Sequence, residues 1–272
     1  MANVTSSSSA TDPTGEAGQF VHLRIEVRDS VATVWLARPP VNSVSQEMYR
    51  EIEQVFSHPD HHLPGVKAIV LAGEGRHFCA GNDLHEFATL SPDNSAQRMA
   101  EVRAAFFAIQ DCVIPVVGAV QGAAVGTGLA IAASCDFVIA ADNARFGTPE
   151  IGVGIMGAAR HLSRLVPEPI VRWMYLTGDP IDVRRLESIG SVVEVVEPER
   201  LVERAYEHAA RIVRHSAAAI RMAKRSLNAI ETMDLQPGYE FEQSLTAELS
   251  GHPDSQEARR ATLEQREPHY SA

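Results

Sequence analysis

The chain has 272 residues, 45% of them apolar and 22% charged, which is enough for a sizeable buried core. A formal net charge of −11 argues against a nucleic-acid partner, whose phosphates need clustered Lys and Arg, though a local basic patch would still serve a small anionic ligand. Three cysteines, Cys79, Cys112 and Cys135, stand far apart with no CxxC pair, which excludes a disulfide framework and a cysteine zinc site and points to a reducing compartment. No run approaches the roughly 18 apolar residues of a membrane span.

Residues 1–19 are rich in Ser, Thr, Gly and Ala and lack both an apolar signal core and any Arg or Lys, so they are expected to be a disordered leader of a cytoplasmic protein. Val21–Val27 and Val31–Ala37 alternate around Arg28-Asp29-Ser30, which predicts a β-hairpin. After the break at Arg38-Pro39-Pro40, Ser45 caps a helix expected to run to about Ser57. Lys67–Ala72 reads as a buried strand, and a helix is expected from about Asn94 to Gln110.

Val116 to Gly157 holds the chemistry. A β-branched run, Val116–Val120, is followed by glycines 122, 126 and 128, then the small apolar helix Leu129–Ala133 and a strand Phe137–Ala141. Beyond it the pattern is helical, with segments expected at Ala158–Leu165, Pro169–Leu176, Val183–Ser188, Arg200–His215, Ala217–Glu231 and, in pieces, Gln243–Gln265, and one short strand at Ser191–Val196. The sum is an α/β core over residues 20–200 followed by a helical region, 201–272.

A glycine turn opening a helix presents free N–H groups at the positive end of the helix dipole, which suits a developing negative oxygen. The same glycines equally suit a close turn that needs small residues, and both readings stand. Gly126-Thr127-Gly128 lacks the third glycine of a dinucleotide fingerprint and the Lys of a P-loop. Glu150, in Thr148-Pro149-Glu150, is either a base whose pKa apolar surroundings raise or simply the first acidic residue of a helix capped by Thr148. Cys79 has no local base and is expected to be inert, and His58, His61 and His62 lie on a Pro-rich bend with no second cluster to complete a metal site.

Five blocks taken together add a resemblance: Pro40-Val41-Asn42, Phe78-Cys79-Ala80-Gly81-Asn82-Asp83-Leu84, Gln121-Gly122 through Gly128, Cys135-Asp136, and Phe146-Gly147-Thr148-Pro149-Glu150-Ile151-Gly152. In order and spacing the chain resembles the crotonase superfamily of enoyl-CoA hydratases and isomerases over about Val21 to Gln265. The resemblance implies a spiral of β-β-α units with a C-terminal helical trimerisation region, assembled as a homotrimer or a dimer of trimers. It implies an acyl-CoA thioester substrate, coenzyme A being part of that substrate and no separate cofactor being needed. Its carbonyl oxygen would sit between the backbone amides of Asn82 and Thr127, with Glu150 as catalytic base. Ala80, Asp83, Leu84 and Gly126 would border the coenzyme A and substrate, and Lys224 or Arg225 could meet a phosphate.

The family's hydratases carry a second glutamate where this chain has Ala130, Thr127 replaces a common glycine, and Met156 a common proline. Water addition normally uses both carboxylates, whereas a proton shift needs one. The expectation is therefore Δ3,Δ2-enoyl-CoA isomerisation. The alternatives are a hydratase with another second acid, and a non-catalytic acyl-CoA binding protein.

Overall fold

The first two strands, β1 (Leu23–Arg28) and β2 (Val31–Leu36), form the expected hairpin, and its two turn residues, Asp29 and Ser30, have left-handed φ values of 49° and 64°. This is the computed structural model of the chain, and it describes residues 20–270; the leader expected at 1–19 lies outside the described residues. Helix α1 (Gln46–Ser57) starts where Ser45 accepts from the amide of Met48, and it buries Met48, Tyr49, Ile52, Val55 and Phe56. A single turn, α2 (Pro59–His62), carries the histidine bend to β3 (Ala68–Gly73), buried along its whole length. The short α3 (Leu84–Phe87) leads to α4 (Pro92–Asp111), which Ser91 and Asn94 cap reciprocally.

Strands β4 (Val116–Val120) and β5 (Ala123–Val125) then feed α5 (Thr127–Ser134), and β6 (Phe137–Ala141) and β7 (Arg145–Gly147) feed a 3-10 turn, Pro149–Val153. Next come α6 (Ala159–Leu165), α7 (Glu168–Thr177), β8 (Ile181–Asp182), α8 (Val183–Ser188) and β9 (Glu194–Val196). Four helices end the chain: α9 (Leu201–Ile212), α10 (Ala217–Ile230), α11 (Leu235–Ser250) and α12 (Pro253–Leu263).

The main sheet runs β1-β2-β3-β4-β6-β9, parallel except for the β1 edge, and a smaller sheet runs β5-β7-β8. The successive pairs β4–β5 and β6–β7 each place one strand in each sheet before a helical turn closes them. Both faces of the main sheet are covered, as parallel sheets require. Along β3, Ile69 and Leu71 join the large core with α1, α4 and α5, while Ala68, Val70 and Ala72 pack against Leu201, Ala205 and Ala209 of α9. Of the expected helical region 201–272, α9 is therefore part of the sheet's cover, whereas α10 to α12 form a separate layer, α10 being tied to α4 where Asn228 Nδ2 donates to the carbonyl of Gln110 at 2.8 Å.

Two differences from expectation have identifiable causes. Helix α11 begins at Leu235, ahead of the expected Gln243, because Pro237 falls in the first turn, where a helix does not use the missing N–H. Strands β5, β7 and β8 were not expected at all: each is two or three residues long and defined by pairing across the chain. No helix among the described residues is long and apolar enough to cross a membrane.

Candidate active site

The site is built where two turns are forced side by side. Phe78 and Cys79 donate to the carbonyls of Gln121 and Ala123 at 2.8 and 2.9 Å, and Val125 donates back to Cys79 at 3.1 Å, so residues 78–80 run parallel to β5. Gly128 makes this approach possible, since a Cβ there would stand 2.1 Å from the Cys79 carbonyl oxygen. Asn42, fully buried, holds the first turn from beneath: its Nδ2 donates to the carbonyls of Glu74 and His77 at 2.9 and 2.8 Å.

Within the first turn, Ala80 donates to Val41 and Asp83 donates to Val44, both at 3.0 Å, leaving the amide of Asn82 between them. Thr127 is the first residue of α5, where a helix offers its amide no acceptor. Among the described residues, neither amide has a hydrogen-bond acceptor. The Cys79–Ala124 bridge sets the two turns side by side, and Thr127 stands at the positive end of the dipole of the wholly buried α5.

Glu150 sits on the 3-10 turn after β7, buried, with Gly126 bonded to the carbonyl of Gly147 at 2.9 Å alongside. Its Oε1 is 3.0 Å from where a Cβ on Gly126 would stand and 3.4 Å from one on Gly157, so small residues make the carboxylate's berth. Its Oε2 is buried and without a hydrogen-bond partner among the described residues. Burial pushes the Glu150 carboxyl above the ordinary carboxylate range. Thr148 makes no cap bond, and its hydroxyl is also buried and unpartnered, so the helix-cap reading of Thr148-Pro149-Glu150 fails for the threonine. Ala130, 1% exposed, lies on α5 among apolar neighbours.

The remaining expected residues divide. Ala80 and Asn82 are half-buried in the first turn, and Leu84 is 74% exposed at its outer end. Asp83 caps α3 by accepting from His85 and Glu86, and Arg38 Nη2 donates to its Oδ2 at 2.5 Å, which holds its carboxyl below the usual range. Lys224 corrects one expectation: it is 4% exposed, and its ammonium donates to Asp136 Oδ2 at 2.6 Å, so it is committed inside the protein and not free for a phosphate. Arg225 is exposed and lies against the Phe241 ring and Glu248. Burial pushes the Cys79 thiol to about 12, in keeping with an inert cysteine, and no metal-binding group of His, Cys, Asp or Glu occurs among the described residues.

One residue at this site has no forecast in the sequence. Tyr49, on the buried face of α1, donates its hydroxyl to Asn82 Oδ1 at 2.5 Å and lies 2.8 Å from Thr127 Oγ1. The available signal was a polar-tipped aromatic on an otherwise apolar helix face, which when buried requires a partner.

The model of the enoyl-CoA hydratase/isomerase family matches residues 26–272. The chain is 37% identical over 227 residues, 82% of this chain and 86% of the relative, to the (7aS)-7a-methyl-1,5-dioxo-2,3,5,6,7,7a-hexahydro-1H-indene-carboxyl-CoA hydrolase of Rhodococcus jostii. It is 32% identical to a probable enoyl-CoA hydratase of Rhizobium meliloti, over 91% of this chain and 97% of the relative. The crystal structure of an enoyl-CoA hydratase from Mycobacterium smegmatis superposes with a TM-score of 0.86 at 29% identity, covering 92% of this chain and 98% of that one. The family model, the relatives and the matched fold agree: the chain belongs to the enoyl-CoA hydratase/isomerase family of the crotonase superfamily.

Proposed function

We propose that Glu150 removes a proton from the carbon beside an acyl-CoA thioester while the amides of Asn82 and Thr127 hold the carbonyl oxygen as it becomes an enolate. The observation that carries this reading is a single desolvated carboxylate at the wall of the Gly126 turn, with Ala130 where a second would stand. On a 3-enoyl-CoA, Glu150 takes the C2 proton and the electrons pass to the thioester oxygen, giving a dienolate. Return of the proton at C4 moves the double bond to C2–C3 and regenerates the carboxylate. Each amide donor contributes about 3 kcal/mol of transition-state stabilisation. No cofactor beyond the coenzyme A of the substrate enters these steps.

The name of the Rhodococcus jostii relative favours a second reading on the same hole, hydrolysis of a cyclic keto acyl-CoA. Glu150 would take a proton from water adding to a ring ketone β to the thioester. The carbon–carbon bond would then break towards the thioester, and Glu150 would return the proton to the enolate carbon, leaving a ring-opened carboxylate.

Purified protein is offered a 3-enoyl-CoA, a 2-enoyl-CoA and a cyclic β-keto acyl-CoA, with Glu150→Gln alongside. Conversion of the 3-enoyl ester to the 2-enoyl ester, lost in the variant, supports isomerisation. Ring opening instead supports hydrolysis, and formation of a 3-hydroxyacyl-CoA would replace both with hydration. Full activity of Glu150→Gln would remove Glu150 as base, and binding without turnover of any ester would leave an acyl-CoA binding protein. We also assign the exposed apolar residues Leu235, Tyr239 and Leu263 of α11 and α12 to contacts in a homotrimer, which light scattering tests directly.

A further inference from the structure

Tyr49 takes no part in the proton transfer, yet it touches both halves of the oxyanion site. It is 3% exposed, and its ring stands edge-on to Phe106 at 6.0 Å between centroids. Its hydroxyl has one proton, spent on Asn82 Oδ1 at 2.5 Å. The Thr127 hydroxyl, 2.8 Å away and 5% exposed, is therefore the donor in the second bond. Burial raises the phenol's pKa, so it stays protonated and the direction of the chain Thr127–Tyr49–Asn82 is fixed. The two residues it joins are those whose own backbone amides are free.

We propose that Tyr49 is a positioning residue that locks the side chains of Asn82 and Thr127 together and so fixes the spacing and aim of the two amides. This rests on the enolate reading above and deepens it. The Cys79–Ala124 bridge sets the register of the two turns, and Asn82 and Thr127 each lie three residues beyond it along the chain. A small residue at either position would supply an amide without a side-chain tie to the other turn. Asn82 and Thr127 supply the handles, and helix α1, anchored in the core by Met48, Ile52 and Val55, supplies the fixed point.

The test reads carbonyl polarisation directly. Butyryl-CoA labelled with carbon-13 at the thioester carbonyl is bound to the full chain, and its stretching band is followed by infrared difference spectroscopy. In the wild-type protein the band moves to lower wavenumber. In Tyr49→Phe the ester still binds within about twofold of wild type, but most of the shift is lost, and kcat on the 3-enoyl ester falls about tenfold with KM little changed. Asn82→Ala combined with Thr127→Val keeps both amides and removes both partners of the phenol. It should lose the same shift, with no further loss when Tyr49→Phe is added.

A full shift with wild-type kcat in Tyr49→Phe overturns the proposal. If that variant fails to fold, a full shift in the Asn82→Ala, Thr127→Val pair overturns it equally. A merely structural phenol would lower the unfolding temperature and leave the band where it was. An unshifted band in the wild-type protein would defeat the enolate reading itself, and this proposal with it, so the two failures are told apart.

Discussion

Two inward carboxylates at opposite ends of the central strands have opposite surroundings. Asp136, just before β6, accepts from the Lys224 ammonium at 2.6 Å and the Val116 amide at 2.7 Å, and its charge is matched. Glu150, beyond β7, has one oxygen against the walls of Gly126 and Gly157 and another with no partner among the described residues. The first is a tie between α10 and the sheet, an ion pair in which nothing needs to move. The second is a group whose charged form burial disfavours, as the proposed base requires. What separates the two carboxylates is therefore a charged partner, present for Asp136 and absent among the described residues for Glu150.

The largest effect that would test this contrast is on turnover. Glu150→Gln is isosteric and should lower kcat by about a thousandfold, within the usual range for removing a positioned base, in a steady-state assay on the ester that the wild-type protein converts. Lys224→Met should do the reverse, costing about 3 kcal/mol in denaturant unfolding by stranding Asp136, while turnover per folded molecule is kept. Equal loss of turnover in both variants would erase the distinction between the two sites.

A smaller effect is on stability. Because the folded-state pKa of Glu150 lies above its unfolded value, the native state holds the proton more tightly, and that contribution is complete below the unfolded pKa and lost as pH rises through the folded one. Glu150→Gln should accordingly melt higher than wild type at neutral pH, with the gap closing in acid. The activity profile follows the same ionisation, kcat/KM rising with pH as Glu150 becomes a carboxylate. The smallest expected change comes from Gly157→Ala, whose new methyl would lie 3.4 Å from Glu150 Oε1, excluding water and moving the acid limb of that profile slightly upward.

Much of this was legible in the chain because its causes are local. Ser45 caps α1 as its residue type requires, and the runs Val116–Val120 and Phe137–Ala141 became strands with those bounds. Gly126, Thr127 and Glu150 were visible as a turn and a lone acid, and the resemblance added Asn82. The second sheet was illegible because Ala123–Val125 and Arg145–Gly147 are strands only by virtue of each other. Tyr49 was illegible for a related reason: its two partners lie 33 and 78 residues further along the chain. Lys224 misled because a basic residue on a helix carries no sign of which way it faces until Asp136 is in place beneath it.

The close approach of Gly128 to the Cys79 carbonyl has a kinetic corollary. The turns that carry Asn82 and Thr127 come together only after β3 and β4 have paired and residues 78–80 have docked on β5, a contact between segments distant in sequence. Local helices such as α1 can form earlier. During refolding, recovery of far-ultraviolet ellipticity should therefore run ahead of recovery of the carbonyl-polarising site, and the lag between the two signals times the seating of one turn upon the other.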